Sequence, residues 1–355
     1  MLDKISNLFR FRQKKFLGID IGTSFIRIVE LSRKGQAYKL ENYGGLEASS
    51  FKKKPFRVFQ KNSLSLSGKE IAKSIQAILK EAEIQTKEAI FSIPDFCSFF
   101  TSIKLPAMAK DEIPQAIQYE IRPYVPLPLD EVTLDWSIIE GQPPGNPLKI
   151  LVVAIPNDII SEYREIAQLA NLNLRILESE VFALARASIK NEKKKKVISL
   201  IDIGARSTTC SIVEQGVLKI SHSFNIAGNQ LTEIIARSLN IDYNKAEDVK
   251  KKQGLIDKDI RRILIPLVDS ILEEVKKAFR NFYLKEGKEV EKVVLSGGSA
   301  SMPGLKEYFS TELKKEQSII NPFSDVGCPT ALARVLKEMG PNYAVAMGLA
   351  MKGLE

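Results

Sequence analysis

The sequence predicts an α/β chain of two related domains, with a smaller α+β module lying between the two halves of the repeat. Three features carry this. FLGIDIGTSFIRIVELSRKG at 16–35 has a second version, LIDIGARSTTCSIVEQGVL, at 200–218. Each is an apolar run ending on Asp, then Ile-Gly, then small hydroxyl residues, then an apolar run closing on Val-Glu. That pattern reads as strand, tight turn, strand. Thirdly, VEKVVLSGGSASMPGLKEYF at 290–309 reads as a buried strand, a Gly297-Gly298 turn and a helix. Pro303 falls in the first turn of that helix, where a missing N–H costs nothing.

The residues of the repeated turn indicate its chemistry. Asp20 and Asp202 sit where the first strand of each copy runs out. Gly22 and Gly204 allow a backbone conformation that other residues resist. Thr23 and Ser24 in the first copy, and Ser207, Thr208 and Thr209 in the second, add hydroxyl donors. Such a turn aims N–H groups and hydroxyls at one point, which suits phosphate oxygens. An adjacent Asp can hold a magnesium ion, usually through water. Two copies half a chain apart suggest two loops facing each other across a cleft. Paired glycines after a strand let a flat ring slide close to the backbone.

Composition narrows the alternatives. A chain of 355 residues is long enough for two domains with full cores. No apolar run approaches the roughly 18–20 residues of a spanning helix. The basic N-terminus lacks the apolar region of a signal peptide, so the expected compartment is the cytoplasm. His222 is the only histidine, which excludes Ser–His–Asp and Cys–His nucleophiles and multi-histidine metal sites. Cys97, Cys210 and Cys328 read as reduced, partly buried thiols. The net charge of +9 is carried partly by lysine runs at 52–54, 193–196 and 250–252. They are scattered between elements rather than aligned with aromatic residues in a stripe, so they read as solvated loops and faces and no nucleic-acid partner is expected. The positive balance can help the chain sit near anionic lipid.

Taken in order, residues 1–15 place Leu2, Ile5, Leu8 and Phe9 at helical spacing before a basic run, either a short interfacial helix or a frayed basic arm. A strand follows at 36–48, then a lysine-rich loop at 49–66. Ser67 and Glu70 form a capping box opening a helix striped by Ile71, Ile75 and Ile78. Residues 87–172 read as a compact α+β module. It comprises two strands, a helix from Asp111 with Ile113, Ile117 and Ile121 on one face, and an extended Pro-rich segment at 122–132. Two more strands and an amphipathic helix complete it. Residues 174–189 read as a strand running into a helix. After the second hairpin come a turn at Gly228-Asn229 with a helix, a short helix at 244–252, and a long helix over 258–283 kinked at Pro266. A closing helix of small residues spans 341–353. The first domain is thus expected over 16–86 and 173–192, closed by that helix, and the second over 193–340.

The order of two DxG hairpins and a GG turn resembles the actin-like ATPase superfamily, which includes actin, heat-shock chaperones, sugar kinases and FtsA. That implies an actin-like (ribonuclease H-like) two-domain ATPase fold with an inserted FtsA-type α+β subdomain. FLGIDIGTSFIRIVEL, LPAMAKDEIPQAIQYEIRPYVPLPLDEV and NIAGNQLTEIIARSLNIDYNKAEDVK together look like the PilM family of type IV pilus assembly proteins. The resemblance implies ATP and Mg2+ in the interdomain cleft. Asp20, Gly22, Thr23 and Ser24 match its first phosphate loop, and Asp202, Gly204, Ser207 and Thr208 its second. Asp20 and Asp202 serve the metal. Gly228 belongs to the cofactor set, Gly297 and Gly298 match the adenosine loop, and Glu247 and Lys250 match the helix contacting ribose and adenine. Glu180 falls where relatives orient the attacking water, with Glu178 a rival; it equally fits a cap of the connecting helix. Arg206 departs from the small residue common at its turn.

The resemblance also implies partners. These are the cytoplasmic N-terminal tail of PilN, which pairs with PilO, then the pilus motor ATPases indirectly, and the inner-membrane surface through those partners. Ile117, Ile121, Tyr124 and Val125 are the candidate tail-binding residues; internal packing of the module competes for Ile117 and Ile121. The implied activity is that of a nucleotide-dependent adaptor with slow ATP hydrolysis. The alternatives on the same fold are a small-molecule kinase and a filament-forming FtsA-like ATPase.

Overall fold

The computed structural model describes residues 14–48, 67–189 and 196–355. The expected interfacial helix or arm before residue 14, the loop at 49–66 and the lysines at 193–195 lie outside them. β1 (Lys15–Ile21) and β2 (Phe25–Lys34) form the first hairpin, with Asp20 opposite Arg27, and β3 (Ala37–Glu47) extends it antiparallel. α1 (Gly68–Glu81) opens on the Ser67–Glu70 capping box. β4 (Glu88–Ile93) then pairs parallel with β1.

The chain leaves this sheet at a short turn and builds the module: β5 (Phe99–Leu105), α2 (Ile113–Glu120), β6 (Val132–Glu140) and β7 (Leu148–Pro156). It returns through α3 (Asn157–Leu169) to β8 (Asn173–Ser179), parallel to β4, and α4 (Glu180–Ile189).

The second repeat comprises β9 (Val197–Ile203), β10 (Thr208–Glu214) and β11 (Val217–Phe224). Helices α5 (Gly228–Leu239), α6 (Tyr243–Lys252) and α7 (Lys258–Glu286) follow. Then come β12 (Lys292–Ser296), α8 (Leu305–Leu313), β13 (Glu316–Ile319), β14 (Val326–Gly327) and α9 (Ala333–Gly353). The strand orders are β14-β3-β2-β1-β4-β8 and β11-β10-β9-β12-β13. Apart from the two-residue β14, they map one for one: an antiparallel meander, then two strands parallel to its first. The duplication therefore extends well beyond the turns that announced it.

α4 and α9, each the last element of its repeat, pack on one another between the sheets. One core joins Val29 and Leu31 of the first sheet, Leu200 and Val294 of the second, and Ala183, Ala346 and Leu349 of the helices. The approach is close enough to need glycine: a Cβ on Gly18 would run into the Ala346 carbonyl, and one on Gly348 into that of Ala183.

Three boundaries differ from the sequence reading. β4 and α3 belong to the first sheet, because Ile159, Tyr163 and Ile166 pack on Ile71, Ile75 and Phe91. The module expected at 87–172 is thus a three-stranded antiparallel sheet with one helix, β5 to β7, inserted into the β4–α3 crossover. At the other end, β14 pairs with β3 and α9 starts at Ala333 with Pro341 inside it, so the return to the first domain precedes residue 341. Pro303 lies ahead of α8, which begins after Gly304.

Candidate functional site

β1 and β9 deliver Asp20 and Asp202 to the same edge of their sheets, and the turns that follow are built alike. The Gly22 N–H donates to the Phe25 carbonyl at 2.8 Å, and the Gly204 N–H to the Ser207 carbonyl at 3.0 Å. Neither glycine has a left-handed φ, which corrects the reason for its presence. A Cβ on Gly22 would lie 2.8 Å from the Phe25 oxygen, and one on Gly204 3.0 Å from the Ser207 oxygen. Space, not conformation, selects glycine there.

A matching hydroxyl backs each Asp from the adjacent parallel strand. Ser92 on β4 donates to Asp20 Oδ1 at 2.8 Å, and Ser296 on β12, level with Asp202 in the register, hydrogen-bonds to its carboxyl. Burial pushes the Asp202 carboxyl up to about 6. The Ser296 bond works against this rise, Asp20 adds to it, and Arg27 opposes it. The two carboxylates therefore feel one another across the cleft. Arg27 stands beside Asp20: its Nη1 is 3.8 Å from Asp20 Oδ2 and its guanidinium lies 4.8 Å from the centre of the Phe25 ring. Sequence reading missed Arg27, Ser92 and Ser296. The signal for Arg27 was its place seven residues after Asp20, between the apolar Ile26 and Ile28.

The adenosine-type turn is joined to the second hairpin. Gly297 has φ +87°, and a Cβ there would fall 2.5 Å from the Ile203 carbonyl oxygen and 2.9 Å from Asp202 Oδ1. Its N–H donates to the Pro341 carbonyl at 3.1 Å, tying the turn to α9, while Gly298 faces Asn342. Gly228 lies against the same place. Its N–H donates to the Gly204 carbonyl at 3.0 Å, and that of Asn229 to the Ala205 carbonyl at 2.7 Å. The start of α5 is thereby fixed to the second phosphate-type turn.

Two expected ligand contacts read differently in the structure. Lys250 is 5% exposed and its Nζ reaches Gly228 O at 3.1 Å, Thr232 Oγ1 at 2.7 Å and Glu247 Oε2 at 2.6 Å. All three ammonium protons are accounted for, so Lys250 braces the floor of the pocket. Burial lowers its pKa, with Glu247 opposing. Burial also works to raise that of Glu247, but Lys250 beside it more than offsets this. Thr208 is fully buried and its hydroxyl donates to the Ile226 carbonyl at 2.7 Å, turned into the sheet. Thr23 is buried, whereas Ser24 and Ser207 are partly open.

Glu180 opens α4 at the same edge of the first sheet as Asp20. Glu178, its rival, is held in a two-pronged pair with Arg186 at 2.7 and 2.8 Å. Arg206 points to solvent. In the inserted module, Ile117, Ile121 and Val125 are closed into its core with Ile103, Ile113 and Val152. That corrects their assignment as tail-binding residues, since the face bearing them is the one the module needs for its own packing. Tyr124 remains 57% exposed, and Tyr119 64% exposed with Arg122 stacked 5.7 Å from its ring centre. Among the described residues no helix is long and apolar enough to cross a membrane.

The sequence profile of "Type IV pilus assembly protein PilM" matches residues 18–354. The chain belongs to the PilM family. A solved "PilM-PilN type IV pilus biogenesis complex" contains a chain similar to it at TM-score 0.84 and 25% identity, covering 97% of this chain and 99% of that one. MreB5 of Spiroplasma citri bound to ADP superposes at TM-score 0.54 and 14% identity, with 94% of each chain covered. With this likeness the fold is actin-like. Cell division protein FtsA of Enterococcus faecalis is 27% identical over 186 residues, 45% of this chain and 42% of FtsA. That of Agrobacterium fabrum is 23% identical over 225 residues, 56% of this chain and 49% of FtsA. The PilM-family chain thus spans under half the length of these relatives, and they place it on the FtsA-like branch.

Proposed function

We propose that this PilM-family chain is an ATP-binding adaptor of the type IV pilus assembly platform. In this reading it binds the cytoplasmic N-terminal tail of PilN, the partner of PilO, and couples it to the motor ATPases at the inner-membrane surface. The observation that carries the nucleotide reading is the meeting of Asp20 and Asp202. They come from equivalent strand ends of two sheets, each backed by a serine, and the charge of Arg27 beside Asp20 acts on Asp202 as well. Hard carboxylate oxygens suit Mg2+, and the guanidinium and the turn N–H groups suit phosphate. Mg2+–ATP, when bound, would supply charge for the two hairpins to grip and a phosphoanhydride for slow hydrolysis.

Asp20 and Asp202 would hold the ion through water, Ser24 and Ser207 would meet phosphate oxygens, and Gly297 and Gly298 would leave room for the adenosine. Gly228 and the Glu247–Lys250 pair would form the pocket wall. Glu180 is the candidate to orient water. The peptide reading is supported by the solved PilM-PilN complex, a neighbour across nearly the whole chain. It is supported too by the exposed Tyr119, Arg122 and Tyr124, an aromatic and cationic surface beside the proline-rich segment.

Thermal unfolding with Mg2+–ATP tests the cleft. Ligand at about a hundred times its dissociation constant adds roughly 2.7 kcal/mol of stability, and Asp20→Ala or Asp202→Ala should remove the gain. Equal gains in wild type and both variants would defeat the assignment. Capture of PilN tail peptides by the wild type but not by Tyr124→Ala tests the second half.

A further inference from the structure

Six charged side chains form a continuous chain of ion pairs where the inserted module meets the second domain. Lys149 Nζ on β7 lies 2.6 Å from Glu286 Oε1 at the end of α7 and 3.3 Å from Glu140 Oε1 at the end of β6. Lys219 Nζ on β11 lies 2.9 Å from the same Glu140 oxygen and 3.6 Å from Glu214 Oε2 on β10. Glu214 pairs in turn with Lys288, two residues beyond Glu286. The signs alternate along the chain, three positive and three negative. The module supplies Glu140 and Lys149, which are cross-strand neighbours; the second domain supplies the other four.

The side chains of Lys219, Glu214 and Lys149 are only 6%, 10% and 13% exposed. Charges so far from water persist only where partners hold them in place. Exposed pairs at a surface do not demand this. The module has a second anchor nearby, Phe100 against Phe182 of α4 with ring centres 6.0 Å apart. It is thus tied covalently to the first domain, by packing to the central helix, and by charge to the second. A change in the angle between the domains must either carry the module along or break the Lys149–Glu286 and Lys219–Glu140 pairs.

We infer that this chain of ion pairs is the link by which closure of the cleft is transmitted to the inserted module and its Tyr119–Tyr124 surface. The inference rests on the nucleotide reading above and adds the regulation of the peptide surface by it. Its energetic content is a coupling between two sites through an element with two arrangements, reciprocal by necessity. Nucleotide shifts the module, and peptide on the module shifts the cleft.

Hydrogen exchange of the full chain, with and without Mg2+ and a non-hydrolysable ATP analogue, tests this. In the wild type we expect exchange to slow at the cleft turns 20–25 and 202–208, and in the module at 113–125, by about fivefold or more. In Lys149→Met the cleft slowing should remain and the module slowing should disappear. Lys149→Arg should retain both. Glu140→Gln cuts the other crossing link, to Lys219, at a side chain that is 53% exposed, with little risk to folding, and should also lose the module response. Module slowing that is absent in the wild type, or undiminished in either Lys149→Met or Glu140→Gln, would overturn the role of these ion pairs. Absence of slowing at the cleft turns of the wild type would instead overturn the nucleotide reading beneath it.

Discussion

Replacing Asp202 with Asn should stabilise the ligand-free chain and abolish its response to Mg2+–ATP. Burial, aided by the charge of Asp20 and opposed by Ser296 and Arg27, raises the Asp202 carboxyl from 3.8 to about 6. That displacement corresponds to about 3 kcal/mol between the two protonation states. Asp202 keeps some contact with solvent, so about 1–3 kcal/mol is expected. The sign follows from proton counting. Because the folded value lies above the unfolded one, between about pH 4 and 6 the folded chain binds more protons. Stability therefore falls as pH rises through that window, and the cost is fully present above it. Asn carries no such cost. Urea unfolding at pH 4 and pH 8 should show the two proteins nearly equal at the lower pH and the variant ahead at the higher. Mg2+–ATP at about a hundred times its wild-type dissociation constant should then add roughly 2.7 kcal/mol to the wild type alone. A variant weaker than wild type at pH 8, or a difference independent of pH, would refute the reasoning.

Gly297→Ala combines a left-handed φ with a Cβ set against the Ile203 carbonyl; it should cost about 2–4 kcal/mol, measurable by urea unfolding, and remove nucleotide binding. Lys250→Met leaves Glu247 and Thr232 facing a missing cation, and a loss of about 3–5 kcal/mol is expected by the same assay. Ser92→Ala removes the donor to Asp20. Its mark should be about 10–100-fold weaker Mg2+ affinity in calorimetry. In the module, Ile117→Ala should destabilise by about 2–5 kcal/mol, whereas Tyr124→Ala should leave stability within about 0.5 kcal/mol. The latter should weaken PilN-peptide binding by about 1–2 kcal/mol, read by fluorescence anisotropy.

The parts legible in the sequence are those that a short window encodes. Asp20-Ile-Gly22 and Asp202-Ile-Gly204 disclosed the duplication, and their carboxylates do converge. Ser67 and Glu70 marked the start of α1 to the residue. What escaped depends on pairings the linear order conceals. Ser92 and Ser296 reach the acids only because β4 and β12 lie parallel to β1 and β9. The module's limits were misplaced because β4 and β5 read as two strands of one module, although Pro94 and the turn at Asp95–Cys97 send them to different sheets. Ile117 and Ile121 have the spacing of any amphipathic helix, and that spacing does not say whether a partner or the chain itself covers the stripe. Lys250 looked like a ligand contact in AEDVK. Only the fold brings Gly228 and Thr232 to consume its protons.

The shared layer of α4 and α9 has a consequence for biogenesis. β1 begins at Lys15, but the helix that covers its inner side begins at Ala333. At about 5–20 residues per second the ribosome takes roughly 15–60 s to make the intervening stretch. Throughout that interval the nascent amino-terminal sheet presents Val29 and Leu31 to solvent or to whatever chaperone shields them. The half that starts first is completed only once the second repeat has been made, and its maturation waits on the arrival of α9.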